Sequence, residues 1–420
     1  MVEIIAKHNF WNNEEINTGF IRERYQSKII SYLDNSLVKV LVGQRRVGKS
    51  YIMRMLIDYL LKTRDISPKN ILYINKEIYD FDFINTAQSL DNIVKTYTET
   101  INPTGKIYIF IDEIQEIAGW EKVVNSLSQD YLKKYEIFIS GSNSNLLSKE
   151  LATYLSGRYI QFEILPFSYK EYLDYYKLDN TKSNFLEYLK NGGMPETLRL
   201  SGNELIRNYL EQLLNSIILK DIVTRYNIRD AALLERLVFY IIDSSGSLFS
   251  VNRIVNYFNS HKIKTNNETV GNYLKFIEDT FFIHSLERYD IKGKSILASD
   301  KKYYLNDTGF KFYLTSSFNM NIGRFLENLV YLHLRRFHYR IFIGKIAENE
   351  IDFIAEKDGN KKYIQVTYLL SDESIIKREF GNLSLINDNY EKIVLSLDDV
   401  EMGNLNGIKH MKIWEFLFSM

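Results

Sequence analysis

Through the first 165 residues, short runs of consecutive apolar positions alternate with stretches of three-and-four spacing. The run at 107–111 is too continuous for a strand with one solvated face, 136–140 reads as another buried strand, 37–42, 70–75 and 159–165 read as further strands, and residues 51–63 and 145–155 carry helical periodicity. Buried strands separated by helices predict an α/β unit built on a parallel, doubly wound sheet of about five strands. From 167 to 226 the spacing turns helical throughout, with Tyr169, Tyr172, Leu173 and Tyr176 forming an apolar face; this reads as a helical lid whose aromatics belong to its core. Three more helical stretches, 232–243, 251–260 and 268–279, precede strand-like runs at 281–289 and 302–306 around the turn Lys292-Gly293-Lys294. Three helices and a β-hairpin describe a winged helix, the third helix being the recognition helix and the hairpin the wing. A helix opening at Arg324 and strands at 350–354 and 363–367, joined through Asp358-Gly359-Asn360, complete the chain. The expected division is therefore residues 1–166, 167–228, 229–310 and 320–420.

The segment Gly43-Gln44-Arg45-Arg46-Val47-Gly48-Lys49-Ser50 stands between the first apolar run and the helix that Tyr51 opens, which is the strand, loop and helix context of a P-loop. Its glycines let the backbone curl so that successive N–H groups face phosphate oxygens, and the helix start adds its positive end. Residues 43–51 are accordingly expected to bind ATP, with Lys49 reaching the β/γ-phosphates and the Ser50 hydroxyl offered to Mg²⁺. The run ending in Asp112-Glu113 has the form of a Walker B strand. Asp112 would hold the Mg²⁺ shell through Ser50 and water, and Glu113 would orient or deprotonate the attacking water, which implies hydrolysis as well as binding. Ser142 and Asn143 fall at the carboxyl end of another buried strand, where a polar side chain can sense the γ-phosphate or position water; a serine-rich helix cap is the alternative. Arg158, just before the last strand, is the candidate cation for charge on the transferring phosphate, in cis or toward a neighbouring subunit, with a surface salt bridge as the alternative.

Composition narrows the field. Lys+Arg and Asp+Glu are equal at 53 each, so no global field draws the chain to nucleic acid or an anionic membrane. Locally, residues 250–302 hold nine Lys/Arg and six Asp/Glu, a net of +3, so contact with DNA is expected to run through phosphates, with Lys292 and Lys294 at the wing. With no cysteine, disulfides, thiolate zinc sites and a cysteine nucleophile are excluded together. His333 and His338 lie five apart on one helix, off the spacing that puts two ligands on one face. No apolar run approaches the length of a membrane span and Met1-Val2-Glu3-Ile4-Ile5 has no basic leader, so a soluble, cytoplasmic protein without membrane attachment is expected.

Taken together, GQRRVGKS, IYIFIDEIQ, the Gly119-Trp120 pair, ISGSNSNLLS, LSGRY, LPFSYKEYL and NGGMPE resemble the archaeal-type AAA+ ATPases, a prokaryotic group related to the STAND signalling ATPases and carrying a nuclease-like C-terminal domain. The resemblance spans nearly the whole chain. It implies that Gly193-Met194-Pro195 matches an element in which the proline packs near adenine, so Pro195 joins the expected nucleotide contacts, and that Arg22 to Tyr25 lie near base or ribose. From the residues alone, Gly192 and Gly193 beside Pro195 can equally be a turn between helices.

The last hundred residues resemble the PD-(D/E)XK nucleases, a small α/β restriction-endonuclease-like fold in which carboxylates on a helix and a strand, with a Glu-x-Lys on the next strand, hold Mg²⁺ and activate water. Glu327 and Asp352 match the carboxylates, but Gln365 and Thr367 stand where Glu and Lys would be, and Lys345 or Lys361 would have to substitute. The expected function is thus a Mg²⁺-dependent AAA+/STAND-like ATPase associated with DNA, with an inactive nuclease-like domain; the alternatives are an ATP/ADP-controlled switch acting on a protein partner and an ATP-gated nuclease.

Overall fold

The computed structural model describes residues 2–12, 14–130, 132, 134–144, 154–155, 157–315 and 322–419, the side chains of 298 and 299 excepted. The chain divides into two compact units, Met1–Ile164 and Leu165–Met420.

The first unit is built on β1 (Val38–Val42), β2 (Ile71–Asn75), β3 (Ile107–Asp112), β4 (Tyr135–Gly141) and β5 (Tyr159–Glu163). All pair in parallel in the order β2-β3-β4-β1-β5, so the five-strand parallel sheet read from the apolar runs is found. Helices Lys49–Lys62, Ala87–Ile101 and Trp120–Ser128 lie along it in chain order. The helix predicted over 145–155 lies outside the described residues, apart from the helical pair Tyr154 and Leu155. The strand order has a functional consequence: β4 sits between β1 and β3, so the loop after β1 and the two acids after β3 flank the end of β4. Phe110 and Phe138, opposite each other in β3 and β4, stack at 4.4 Å and fix that central pair.

The second unit begins with helices Tyr169–Tyr176, Lys182–Asn191 and Asn203–Ser216, the last running on through a π-helical stretch, Ile217–Thr224. Tyr169 and Tyr172 lie 5.5 and 5.3 Å from Tyr188, ring to ring, and are buried as the spacing predicts. Helices Ala231–Ser244, Val251–Ser260 and Asn267–Asp279 follow, each capped by a side chain, Asp230, Ser250 and Asn266 in turn. Then come β6 (Leu248–Phe249), β7 (Ile283–Asp290) and β8 (Ser295–Leu305), with Lys292 and Lys294 exposed in the hairpin turn. β8 starts earlier than the predicted 302, because its first half, Ser295 to Lys301, lacks a continuous apolar signal.

Helix Ile322–Arg336 leads into β9 (Arg340–Ile346), β10 (Asn349–Lys357) and β11 (Asn360–Val366); β12 (Glu391–Ser396), β13 (Asn404–Leu405) and β14 (Ile408–Lys412) complete the set. Strands β6 to β14 form one sheet, ordered β13-β14-β12-β11-β10-β9-β7-β8-β6. The joint is the parallel pairing of β7 with β9, Arg288 to Asp290 against Ile343 to Lys345. The hairpin is thereby continuous with the strands of the last hundred residues.

Lys311 lies buried in this unit, its Nζ bonded to neutral oxygens, the Ser245 carbonyl at 3.1 Å and hydroxyl at 3.0 Å. Burial pushes its pKa down to about 8. The folded state therefore binds fewer protons than the unfolded chain between about pH 8 and 10.4, and stability contributed by this group rises across that window. Relative to Lys311→Met, the unaltered chain is expected to gain up to about 3 kcal/mol between about pH 7 and pH 10. Urea unfolding of both proteins at the two pH values checks this; parallel pH profiles would refute it.

Candidate functional site

The loop after β1 is shaped for anions. Gly48 (φ 100°) and Arg46 (φ 69°) take the left-handed conformation that turns the chain into the helix Lys49–Lys62. Gly43 is required sterically, since a Cβ there would come within 2.3 Å of the Ile164 carbonyl oxygen. Lys49 is buried and reaches back across the loop, its Nζ donating to the carbonyls of Gly43 at 3.1 Å and Gln44 at 3.2 Å and standing 3.5 Å from Glu113 Oε1. Gln44 and Val47 are buried, Arg46 is exposed, and Arg45 pairs with Glu77 at 3.2 Å. Arg22, buried beneath the loop, donates to the Val47 carbonyl at 3.3 Å and stacks over Tyr25 at 4.5 Å, and a Cβ at Gly19 would meet the Tyr51 ring at 2.7 Å. The segment preceding the loop thus lies against it.

Asp112 and Glu113 come to the same place from β3. Asp112 is hydrogen-bonded by the hydroxyls of Ser50 and Ser140 and, at 3.3 Å, of Tyr73. Glu113 takes a left-handed backbone (φ 55°), donates its N–H to Ser140 Oγ at 3.1 Å, and has its Oε2 held by the Gln115 amide, which also reaches Ser142 Oγ at 3.5 Å. Their environments push the two acids apart. Burial, and then the neighbouring Glu113, raise Asp112. Burial would raise Glu113 too, but Lys49, with Gln115 and Arg45, outweighs it and holds Glu113 below its usual value. Ser142 and Asn143 are buried at the end of β4, on the same edge of the sheet. Ser50 and Asp112 supply a hydroxyl and a carboxylate, hard oxygen donors that suit Mg²⁺ when phosphate oxygens and water fill the remaining positions. Ser140, Gln115 and Tyr73 are participants that the sequence reading did not single out. Gln115 has a faint signal, two residues past the acidic pair; Ser140 and Tyr73 read as ordinary strand residues.

Arg158 does not join this cluster. Arg158 immediately precedes β5, whose register with β1 pairs Tyr159 with Val38 and Glu163 with Val42. It therefore sits at the amino edge of the sheet, about 13 Å of strand away from the loop, exposed, with its guanidinium on Asn125 at 3.4 Å. A role at the phosphates of its own loop is excluded by that register; the surface contact, or a role toward a neighbouring subunit, is what remains. Pro195 belongs to the second unit, within a turn that Thr197 N–H closes onto the Met194 carbonyl at 3.0 Å. There a Cβ on Gly193 would lie 2.1 Å from the Phe167 carbonyl, and Gly193 N–H donates to buried Asp307 at 2.6 Å. Close packing in the second unit accounts for the paired glycines of NGGMPE.

The nuclease-like residues also lie in the second unit. Glu327 comes from helix Ile322–Arg336 and Asp352 from β10, and Asp352 accepts from Val366 N–H at 2.8 Å while its own N–H donates to Gln365 Oε1 at 3.2 Å. Thr367 is buried just past β11. Lys361 pairs with Glu356 at 2.8 Å, and Lys345 lies on β9 opposite Glu350. The lysine found among these carboxylates is Lys302, from the hairpin.

A parallel sheet with a P-loop after one strand and an acidic pair at the end of another is the arrangement of a P-loop nucleotide-binding domain, and residues 35–173 match a family described as AAA domain; residues 182–321 match a domain of unknown function, DUF8612. An uncharacterized protein of Haemophilus influenzae is 34% identical over 400 residues, covering 94% of this chain and 98% of that one. An uncharacterized protein of Methanocaldococcus jannaschii is 33% identical over 385 residues, 88% of this chain and 80% of that one. The chain belongs to the same family as these two proteins. Among solved structures, the Aeropyrum pernix ORC1 protein in complex with DNA aligns with 11% identity and a TM-score of 0.33, over 73% of this chain and 95% of that one, a likeness too low to carry a functional argument. No helix of the described residues is long and apolar enough to cross a membrane.

Proposed function

We propose that the protein is a Mg²⁺-dependent AAA+ ATPase that works on DNA. The observation that carries the reading is the convergence of buried Lys49, the Ser50–Asp112 pair and Glu113 at the carboxyl ends of adjacent strands. Lys49 exchanges its carbonyl and Glu113 partners for phosphate oxygens, leaving Glu113 held by Gln115 and free to take a proton from water in line with the γ-phosphate. Mg²⁺, when bound with the nucleotide, neutralises the β- and γ-oxygens. Ser142 and Asn143 face the same edge and would report the γ-phosphate to β4.

In the second unit, residues 229–310 serve as a winged helix and residues 320–420 as a nuclease-like module that does not cut. The DNA reading rests on Lys292 and Lys294, exposed at the hairpin turn, with Lys262, Lys264 and Lys275 exposed on the preceding elements. Lys302 is subtracted from that patch, because it points inward onto carboxylates.

Steady-state ATP hydrolysis with and without single- and double-stranded DNA tests the proposal. Stimulation is expected, falling with salt and lost in Lys292→Ala/Lys294→Ala with basal turnover unchanged. Turnover indifferent to DNA would favour a nucleotide-controlled switch acting on a protein partner, and cleavage of plasmid with Mg²⁺, Mn²⁺ and ATP would favour the gated nuclease.

A further inference from the structure

The resemblance of the last hundred residues to metal-dependent nucleases puts Mg²⁺ at Glu327 and Asp352. That place is taken. Lys302 Nζ, carried on β8, lies 2.9 Å from Glu327 Oε2, 2.8 Å from Glu350 Oε1 and 3.7 Å from Asp352 Oδ1. Tyr304, two residues along the strand and so on the same face, donates its hydroxyl to Glu327 Oε2 at 3.1 Å. The ammonium is buried, with its side chain only 5% exposed. Burial alone would lower its pKa, but Tyr304, Glu327, Asp352 and Glu350 outweigh that and hold it well above the usual lysine value. A divalent ion at the same carboxylates would sit within a few ångströms of this fixed positive charge, so the residues present do not fit Mg²⁺.

We propose that the Lys302 ammonium is the resident cation of this carboxylate cluster, replacing the divalent ion, and that it pins the hairpin strand to helix Ile322–Arg336 and to β10. Glu350 and Asp352 both reach Lys302 from β10, Asp352 at the irregularity between Ile351 and Ile354, and Glu327 reaches it from the helix. Removing the lysine leaves three close carboxyl groups without a counter-ion, an arrangement that protonates, spreads by repulsion or takes a divalent cation from solution. The cluster also explains why Thr367 can stand where a nuclease would need lysine: a lysine is present, but as a structural ion saturated by carboxylates. The inference is independent of the nucleotide reading, since all its residues lie in the second unit.

Mn²⁺ titrated into the nucleotide-free full chain, with free Mn²⁺ followed by electron paramagnetic resonance, tests it. The unaltered protein is expected to show no Mn²⁺ binding that depends on Glu327. Lys302→Met is expected to gain one site, about tenfold or more tighter than any in the unaltered chain, and to lose it again when combined with Glu327→Gln. Mn²⁺ held by the unaltered chain and released by Glu327→Gln would overturn the proposal, as would a folded Lys302→Met that gains no site. If Lys302→Met does not fold in metal-free buffer, Mn²⁺ or Ca²⁺ is expected to restore its melting transition, acting as the missing cation; failure of that rescue overturns the proposal equally.

Discussion

Glu113→Gln is expected to bind ATP as the unaltered chain does while losing about 10²–10⁴-fold in turnover, the usual contribution of a positioned general base. The substitution keeps the side chain's shape and its hydrogen-bonding to Gln115, and removes only the charge and the ability to accept a proton. Glu113 is well placed for the task, buried beside Lys49 at 3.5 Å and held below its usual pKa, so it is ionised and in reach at neutral pH. Lys49→Ala should behave differently. Its Nζ is the cation inside the loop, and without it both the phosphates and the buried Glu113 lose their counter-charge. Nucleotide binding itself is expected to disappear, by about 2–4 kcal/mol or more, as when one partner of a desolvated charge pair is truncated. Calorimetric titration with ATP, paired with steady-state hydrolysis, separates the two variants. Undiminished turnover by Glu113→Gln would remove the role assigned to that residue, and ATP binding by Lys49→Ala would remove the pocket.

Most of the first unit was legible because its physics is local. A strand buried on both faces is mostly apolar, so β1 to β4 announce themselves as runs despite Lys39 and Glu136, while β5 is a half-buried edge strand. The phosphate loop is contiguous, so Gly43 to Ser50 carry their own context. That Arg158 stands at the wrong end of β5 was implicit in a parallel sheet, where a residue preceding a strand lies at the amino edge, and the register against β1 bears this out. What could not be read was order. Lys302 makes the point in the second unit. By sequence it belongs to a basic hairpin, and only the parallel pairing of β7 with β9, between segments more than fifty residues apart, turns its strand onto Glu327 and Asp352. Glu327 and Asp352 could be picked out because a helix and a strand each present them locally; the ammonium beside them was missed because it arrives from another element. Gln115 and Ser140 were overlooked for a related reason, since an amide or hydroxyl beside a carboxylate leaves no mark on periodicity.

The largest loss of stability is expected from Glu136→Leu, at about 3–5 kcal/mol. Lys39 interrupts the apolar run of β1, and its side chain and that of Glu136 on β4 are both 0% exposed and in contact. Burial pushes Lys39 below its usual pKa and Glu136 only partly restores it, so this ammonium depends on its partner. Its other contact is the neutral Asn35 Oδ1 at 2.9 Å. Glu136 is better provided, since it also pairs with Lys106, which in turn holds Asp34 at 3.1 Å. The two halves of the pair are therefore unequal. Removing Glu136 strands a buried cation, whereas Lys39→Met leaves Glu136 with Lys106 and should cost about half as much. In Lys39→Met/Glu136→Leu no buried charge is left unpaired, Lys106 turns to Asp34, and part of the loss should return, because apolar groups of similar volume can replace a buried ion pair at little cost. Urea unfolding of the two single variants and the double variant gives the cycle. A Lys39→Met loss equal to or larger than that of Glu136→Leu, or losses that simply add in the double variant, would show that the network is not organised around the stranded ammonium.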